Sequence, residues 1–327
     1  MKVLFAASPA IAVPALDSLC STDGIELAGV LTNPDAPRGR KSTPQPTETG
    51  EAALRISAEF EKQGRPPFPI FKPLKLDTAF REQVGALKPE LLVSFAYGRI
   101  FGPRFLALFP LGGINIHPSL LPKYRGPSPI QAAILNRDSV TGLSVQTLEK
   151  EMDSGGILAQ EQLQLTGAET AGTLSETMAE KAATVLPGVL KDIAAATARP
   201  QAQNHSEASY CSLVTTADGL IDWKKSAAEI EAKIRAFDPW PLCRTIHKGR
   251  ELLILKASVF KNGNNSGEFA RQGETGQVLG IDNQEGFLIQ TGEGILAVRE
   301  LQYQGKKALA WRDFLNGARD FVDSKLG

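Results

Sequence analysis

The sequence predicts an α/β fold with a mostly parallel, doubly wound sheet, followed by a smaller domain of short strands. Two observations support this prediction. Strand-like and helix-like segments alternate through residues 1–197, as they do in parallel sheets whose strands are joined by helices. Beyond residue 207, short apolar runs are separated by turn residues, which is typical of a small β-barrel. A chain of 327 residues also exceeds the size at which one core usually keeps growing, so we expect two domains.

The first domain is predicted to contain strands with helices between them. Residues 91–95 are apolar except for one serine, as a strand covered on both faces should be. Ser8-Pro9 is expected to begin the first helix as cap and first-turn proline. The predicted strands are residues 3–7, 26–31, 69–71, 91–95, 113–116 and 141–148, and the predicted helices are residues 10–19, 51–61, 78–87, 102–108, 129–135 and 172–196.

The composition changes after residue 197. Residues 198–207 lack apolar periodicity and are interpreted as a linker. The first domain then spans residues 1–197 and the second spans residues 208–327. The second domain is predicted to contain an amphipathic helix at residues 227–237 and strands at residues 252–259, 276–279, 287–290 and 295–301.

Charge and cysteine content exclude several classes of protein. Lys and Arg total 36, as do Asp and Glu, so the formal net charge is zero. The sequence therefore does not predict a protein that binds nucleic acid through its net charge, but it leaves binding through a local basic patch as an alternative. Three cysteines without CxxC spacing predict neither a disulfide framework nor a zinc ribbon, which fits the reducing cytoplasm. Prolines interrupt the N-terminal apolar run too early for a secretory signal, and no run is long enough to span a bilayer.

The densest polar cluster is residues 115–122, which follow a predicted strand. Ligands bind at the carboxyl ends of strands in open α/β sheets. Strand alternation places Asn115 and His117 on one face, where an amide and an imidazole would stabilise a developing oxyanion. The competing interpretation is a core histidine bonded to a backbone carbonyl, and for so short a motif it is the more frequent one.

Three further segments are candidates for the same site. Asp153 lies in a Gly-rich bend and is interpreted either as a carboxylate that orients His117 or as a turn residue that bonds its own backbone. Residues 96–98 end an apolar strand, where Gly98 would let a flat ligand approach the backbone. Residues 33–50 form a long proline-rich loop with clustered basic residues, which is either a phosphate-binding loop or a solvated one.

Taken together, these segments resemble the folate-dependent formyltransferases, in the branch that acts on initiator methionyl-tRNA. The resemblance spans nearly the whole chain. It is carried by Phe5-Ala6-Ala7-Ser8-Pro9, Asn115-Ile116-His117-Pro118-Ser119-Leu120-Leu121-Pro122, Tyr124-Arg125-Gly126-Pro127, Ile130-Gln131, Met152-Asp153-Ser154-Gly155 and Phe237-Asp238-Pro239-Trp240-Pro241.

The resemblance implies a Rossmann-like formyltransferase domain that binds 10-formyltetrahydrofolate as co-substrate, and an OB-like β-barrel that helps to hold the tRNA. It implies formyl transfer, without a metal, to the amino group of methionine on initiator methionyl-tRNA. By position, Asn115, His117 and Asp153 match the catalytic residues of the family. The matched folate-binding residues are Ser119, Leu120, Leu121, Pro122, Ala96, Tyr97 and Gly98, and the matched tRNA-binding residues are Arg38, Arg40 and Lys41.

In the implied reaction, Asn115 and a protonated His117 would stabilise the negative oxygen while Asp153 holds His117. The family usually has Gly where Ala7 stands, and often an acidic residue where Gly156 stands. Three alternatives stay open: a formyltransferase for another amine, such as a sugar nucleotide or glycinamide ribonucleotide; a 10-formyltetrahydrofolate hydrolase; and a non-enzymatic RNA-binding module. We expect a cytoplasmic monomer that does not bind membranes.

Overall fold

The computed structural model describes residues 1–37, 43–261 and 273–327 of the chain. Arg38, Arg40 and Lys41, predicted to bind tRNA, lie outside the described residues. The strands are β1 (Lys2–Ala7), β2 (Glu26–Leu31), β3 (Ala36–Pro37), β4 (Pro44–Gln45), β5 (Ile70–Phe71), β6 (Leu91–Phe95), β7 (Gly113–His117), β8 (Val140–Thr147), β9 (Ile157–Gln164), β10 (Cys243–His247), β11 (Arg250–Val259), β12 (Val278–Asp282), β13 (Gly286–Gln290), β14 (Ile295–Tyr303) and β15 (Leu309–Ala310). The helices are α1 (Val13–Cys20), α2 (Glu48–Lys62), α3 (Thr78–Ala86), α4 (Pro103–Leu106), α5 (Pro129–Leu135), α6 (Ala171–Ala194), α7 (Ala227–Ala236) and α8 (Trp311–Gly317).

The chain folds into two compact units. The first is formed by Met1–Pro129, Val140–Gln164 and Ser175–Ser212, and the second by Ile130–Ser139, Leu165–Leu174 and Leu213–Gly327. Each unit has its own sheet.

The first unit contains a seven-stranded sheet in the order β5-β2-β1-β6-β7-β8-β9. Neighbouring strands from β5 to β7 run parallel, whereas β8 and β9 are antiparallel to their neighbours. The carboxyl ends of β1, β2, β6 and β7 therefore meet at one edge of the sheet. The ladder between β3 and β4 is separate from this sheet.

A cluster of apolar side chains covers one face of this sheet. Every residue of β6 is buried, as its apolar sequence requires for a strand covered on both faces. The rings of Phe101 and Phe105 stack with their centroids 5.6 Å apart, and Phe105 packs against Phe109 at 5.5 Å. Strand β6 is therefore fixed in the interior, and the turn that follows it starts from a rigid position.

The second unit contains an antiparallel sheet in the order β10-β11-β14-β13-β12, with β15 paired to β14. Leu279, Leu288 and Ala297 form a buried cluster between its strands. Helix α7 begins at a capping box, in which Ser226 accepts from the Glu229 N–H and Glu229 accepts from the Ser226 N–H. The second unit thus has its own hydrophobic core and a helix whose N-terminus is capped within the unit.

The predicted fold class is confirmed, with a mostly parallel sheet in the N-terminal domain and an antiparallel sheet in the C-terminal one. The sequence did not predict β9, β10 or α8. It was wrong about Ser8, which caps no helix, because its hydroxyl accepts the Asn33 N–H at 3.2 Å. In the part of the chain that the structure describes, no helix is long and apolar enough to cross a membrane, and no group of three His, Cys, Asp or Glu residues could hold a metal ion.

Candidate active site

The structure brings the three predicted catalytic residues together at the carboxyl edge of the first sheet. Asn115 and His117 lie two residues apart on β7, and Asp153 lies in the bend between β8 and β9. The Asn115 Nδ2 is 3.4 Å from Asp153 Oδ1, and the His117 Nδ1 is 3.6 Å from Asp153 Oδ2. An amide, an imidazole and a carboxylate therefore face one another.

Two further donors hold the Asp153 carboxylate. The Gln146 Nε2 donates to Oδ1 at 2.9 Å, and the Gly126 N–H donates to Oδ2 at 2.8 Å. Gln146 lies opposite Asn115 in the antiparallel register of β7 and β8. The sequence analysis missed Gln146, because its position depends on that pairing. Both carboxylate oxygens are consequently held in fixed directions.

His117 is buried, with its side chain only 4% exposed. Its Nε2 lies 2.9 Å from the Tyr124 carbonyl, which can only accept, so Nε2 carries a proton and donates it. Burial lowers the pKa of His117, although the Asp153 carboxylate and the bond to Tyr124 oppose this shift. The lowered pKa favours the neutral form of the ring, and the protonated His117 expected during the reaction stays a prediction.

The four residues predicted as a folate-binding motif form the loop after β7. Ser119 and Leu121 are buried: the Ser119 hydroxyl donates to the Lys123 carbonyl at 2.6 Å, and the Leu121 N–H donates to the Ser144 hydroxyl at 3.0 Å. Leu120 and Pro122 keep some exposed surface. Two of the four side chains thus stabilise the loop from inside, and the other two remain available to a ligand.

The turn after β6 contains the other predicted folate-binding residues. Ala96 and Gly98 are exposed with positive φ angles of 52° and 80°, whereas the Tyr97 side chain is buried in the aromatic core. The Tyr97 carbonyl accepts from the Asn33 Nδ2 at 3.0 Å, and the buried Asn33 Oδ1 has no hydrogen-bond partner among the residues that the structure describes. Exposed backbone beside an orphaned acceptor fits a flat ligand that carries N–H donors, such as the amino-substituted ring of a tetrahydrofolate.

The bend that carries Asp153 requires two glycines. A Cβ on Gly155 would lie 1.8 Å from the Thr147 carbonyl oxygen, and a Cβ on Gly156 would lie 2.7 Å from the Pro200 Cβ. An acidic side chain at position 156 would therefore collide with Pro200. Gly156, where the resemblance would lead us to expect an acidic residue, avoids this collision.

Comparison with known proteins identifies the class to which this fold and site belong. Residues 1–190 match the family described as "Formyl transferase", and residues 213–319 match "Formyl transferase, C-terminal domain". Among solved structures, an N-formyltransferase from Helicobacter canadensis in complex with folinic acid and dTDP-3-aminofucose shares the fold, with a TM-score of 0.62 and 20% identity. That likeness covers 91% of this chain and 98% of the other. HypX from Aquifex aeolicus in complex with tetrahydrofolic acid gives a TM-score of 0.60 at 16% identity, over 98% of this chain and 48% of that one.

Curated relatives identify the family to which the chain belongs within this class. The methionyl-tRNA formyltransferase of Treponema denticola is 48% identical over 99% of this chain and 98% of its own length. The methionyl-tRNA formyltransferase of Treponema pallidum (strain Nichols) is 43% identical over 100% of this chain and 99% of its own length. The chain therefore belongs to the methionyl-tRNA formyltransferase family.

Proposed function

We propose that this chain transfers a formyl group from 10-formyltetrahydrofolate to the amino group of methionine on initiator methionyl-tRNA, for translation initiation. The observation that carries the proposal is the juxtaposition of Asn115, His117 and Asp153 at the carboxyl edge of the sheet. Family membership over the full length supports the choice of reaction. The bound folate supplies a formyl group on N10, which the amine attacks.

Asn115 is assigned the task of stabilising the negative charge that develops on the formyl oxygen. Its amide carries two N–H groups, and one of them points to Asp153 at 3.4 Å. The other is the donor that we assign to the oxygen. A preorganised donor of this kind typically lowers a barrier by about 2.7–4 kcal/mol.

His117 and Asp153 are assigned the movement of the proton. The attacking amine must lose a proton, and N10 must gain one when its bond to the formyl carbon breaks. The unprotonated Nδ1 of the neutral His117 ring faces the Asp153 carboxylate at 3.6 Å, so a proton taken up here is shared between two acceptors. The low pKa of the buried ring favours its release again.

The contacts with tRNA remain predictions from the sequence. Arg38, Arg40 and Lys41 are proposed to bind the acceptor arm. The zero net charge of the chain means that such binding depends on local basic groups, so affinity should fall only modestly with salt. We further infer a cytoplasmic enzyme, because charged initiator tRNA is its substrate, and the monomeric state stays a prediction.

The test is formylation in a defined mixture. Wild-type protein is incubated with 10-formyltetrahydrofolate and with methionyl initiator tRNA, methionyl elongator tRNA, a dTDP-amino sugar or no acceptor. Formylmethionine is quantified after ester hydrolysis, and formylated sugar and formate are quantified directly. We expect formylation of the initiator form to be strongly preferred. A formylated dTDP-amino sugar with no formylated tRNA, or formate released without any acceptor, would replace this function by one of the alternatives.

A further inference from the structure

The segment between the two family matches is packed onto the candidate active site. We call residues 200–211 the strap. At its start, Gln201 and Ile157 exchange two backbone hydrogen bonds of 2.8 Å. Near its end, the Arg125 N–H donates to the Ser209 carbonyl at 2.8 Å, and the Cys211 N–H donates to the Arg125 carbonyl at 2.9 Å. The strap is thus attached both to the bend after Asp153 and to the loop after β7.

Gln203 lies at the centre of the strap and is buried, with 6% of its surface exposed. Its Nε2 lies 2.9 Å from the Asp153 carbonyl oxygen, 2.7 Å from the Gly155 carbonyl oxygen and 3.2 Å from the Gln146 Oε1. Gln146 in turn donates to the Asp153 carboxylate. One amide group therefore holds both the backbone of Asp153 and a donor to its side chain.

The direction of the Gln203 amide is fixed by its other end. Arg125 is 2% exposed, and its Nε and Nη2 donate to the Gln203 Oε1 at 3.1 and 2.7 Å. The other described acceptors of this guanidinium, the Tyr210 hydroxyl and the His205 Nδ1, are also not carboxylates. A buried cation without a carboxylate partner depends on neutral acceptors such as the Gln203 Oε1. The Gln203 oxygen must face Arg125, so its NH₂ group must face the Asp153 bend.

We propose that Gln203 is a positioning residue for formyl transfer, which holds the Asp153 carboxylate against His117. The inference rests on the proposed function of these two residues. Gln203 itself is buried behind the bend and acts through Asp153. Gln203 is accordingly part of the active-site architecture, although the sequence predicts a linker at residues 198–207 and neither family match includes it.

The experiment compares two glutamines of the strap in the full-length chain. Gln203→Ala removes the buried amide, whereas Gln201→Ala removes an exposed side chain and keeps the backbone bonds to Ile157. We expect Gln203→Ala to lower kcat about 10²-fold, the loss typical of a misplaced catalytic group. The KM values for both substrates should change little. Gln201→Ala should match the wild type.

A second variant separates positioning from folding. Gln203→Glu keeps an acceptor for Arg125 and gives its guanidinium an anionic partner, but it removes the NH₂ donor to the bend. We expect a melting temperature above that of Gln203→Ala together with a similarly low kcat. A kcat that recovers with the melting temperature would mean that Gln203 only stabilises the fold, which overturns the inference.

NMR titration of the His117 ring gives a readout that does not depend on activity. The chain has only three histidines, so the resonances are few. Because the nearby carboxylate favours the charged ring, displacing Asp153 should lower the pKa of His117 further in Gln203→Ala, which adds no charge to the site. An unchanged titration, or wild-type kcat in Gln203→Ala, overturns the inference while the proposed function stands. If wild-type protein formylates no tRNA, the proposed function fails, and the titration still decides whether Gln203 positions Asp153.

Discussion

Asn115 and His117 lie two residues apart on one strand, yet their surroundings in the structure differ. Asn115 is partly exposed, and one of its two amide N–H groups has no partner among the residues that the structure describes, whereas His117 is buried and bonded through Nε2 to the Tyr124 carbonyl. We expect Asn115→Ala to lower kcat about 10²–10³-fold, because it removes one donor to the oxyanion. The fold should persist, because no buried group loses its main partner. Asn136→Ala, at an exposed site, is the matched control, and near-normal kcat in Asn115→Ala would contradict the assignment.

Tyr97 shows that a residue can match a binding motif by position while its side chain serves the core. Within the described part of the chain its buried hydroxyl has no hydrogen-bond partner, and burial raises the pKa of Tyr97. An unsatisfied buried hydroxyl costs about 1–3 kcal/mol, so Tyr97→Phe should leave the free energy of unfolding equal or raise it. Tyr303→Phe should lower it, because the Tyr303 hydroxyl bonds the His247 Nδ1 at 2.6 Å. Urea denaturation of the two variants tests this opposite response, and equal losses would refute it.

At the scale of elements, the antiparallel pairing of β7 with β8 builds the site. Its register sets Gln146 opposite Asn115 and Ser144 opposite His117. Gln146 then reaches the Asp153 carboxylate, and Ser144 supports the loop after β7 through the Leu121 N–H. Alternation along one strand predicts which residues share a face, but register between strands depends on contacts distant in sequence. The supporting residues Gln146 and Ser144 were therefore missed, whereas Asn115, His117 and Asp153 were candidates from the sequence.

The loop after β7 and the strap meet so closely that only glycine fits between them. Gly126 has φ +117°, and a Cβ there would lie 2.3 Å from the Cys211 carbonyl oxygen. Gly112 also has a positive φ, +76°, but its Cβ would meet nothing within 4 Å. Gly112→Ala should cost only the backbone strain of about 1–2 kcal/mol. We expect Gly126→Ala to lower the free energy of unfolding by more than Gly112→Ala does, and also to reduce kcat. Urea denaturation and a formylation assay measure both effects. An equal loss of unfolding free energy in the two variants would contradict the close packing of the strap.

At the scale of the whole molecule, local patterns predicted the parallel strands and the short strands of the second sheet, and the resemblance to the formyltransferases singled out Asn115, His117 and Asp153 as candidate site residues. The apolar run of β6 and the strand alternation around Asn115 are properties of a few consecutive residues, so they can be recognised from the sequence alone. Gln203 is different, because it meets Arg125 across 78 positions and Asp153 across 50. Its segment has no apolar periodicity and was interpreted as a linker. Buried polar networks of this kind depend on tertiary contacts, so no local sequence pattern predicts them.

Each unit also contains one buried histidine, and this gives the whole chain a specific response to acid. Burial lowers the pKa of both His117 and His247, so the unfolded chain takes up protons there that the folded chain does not. The free energy of unfolding should therefore fall as the pH decreases from about 6.5 to 5, by at most about 1.4 kcal/mol per pH unit for each histidine. Carboxylates with depressed pKa values, such as Glu229 at about 2, add stability that is lost only below about pH 4.5, outside this window. Urea denaturation at pH 7, 6 and 5 measures the slope, and His247→Asn, which removes one titrating group, should flatten it. Equal stability of the wild type at pH 7 and 5 would contradict the prediction.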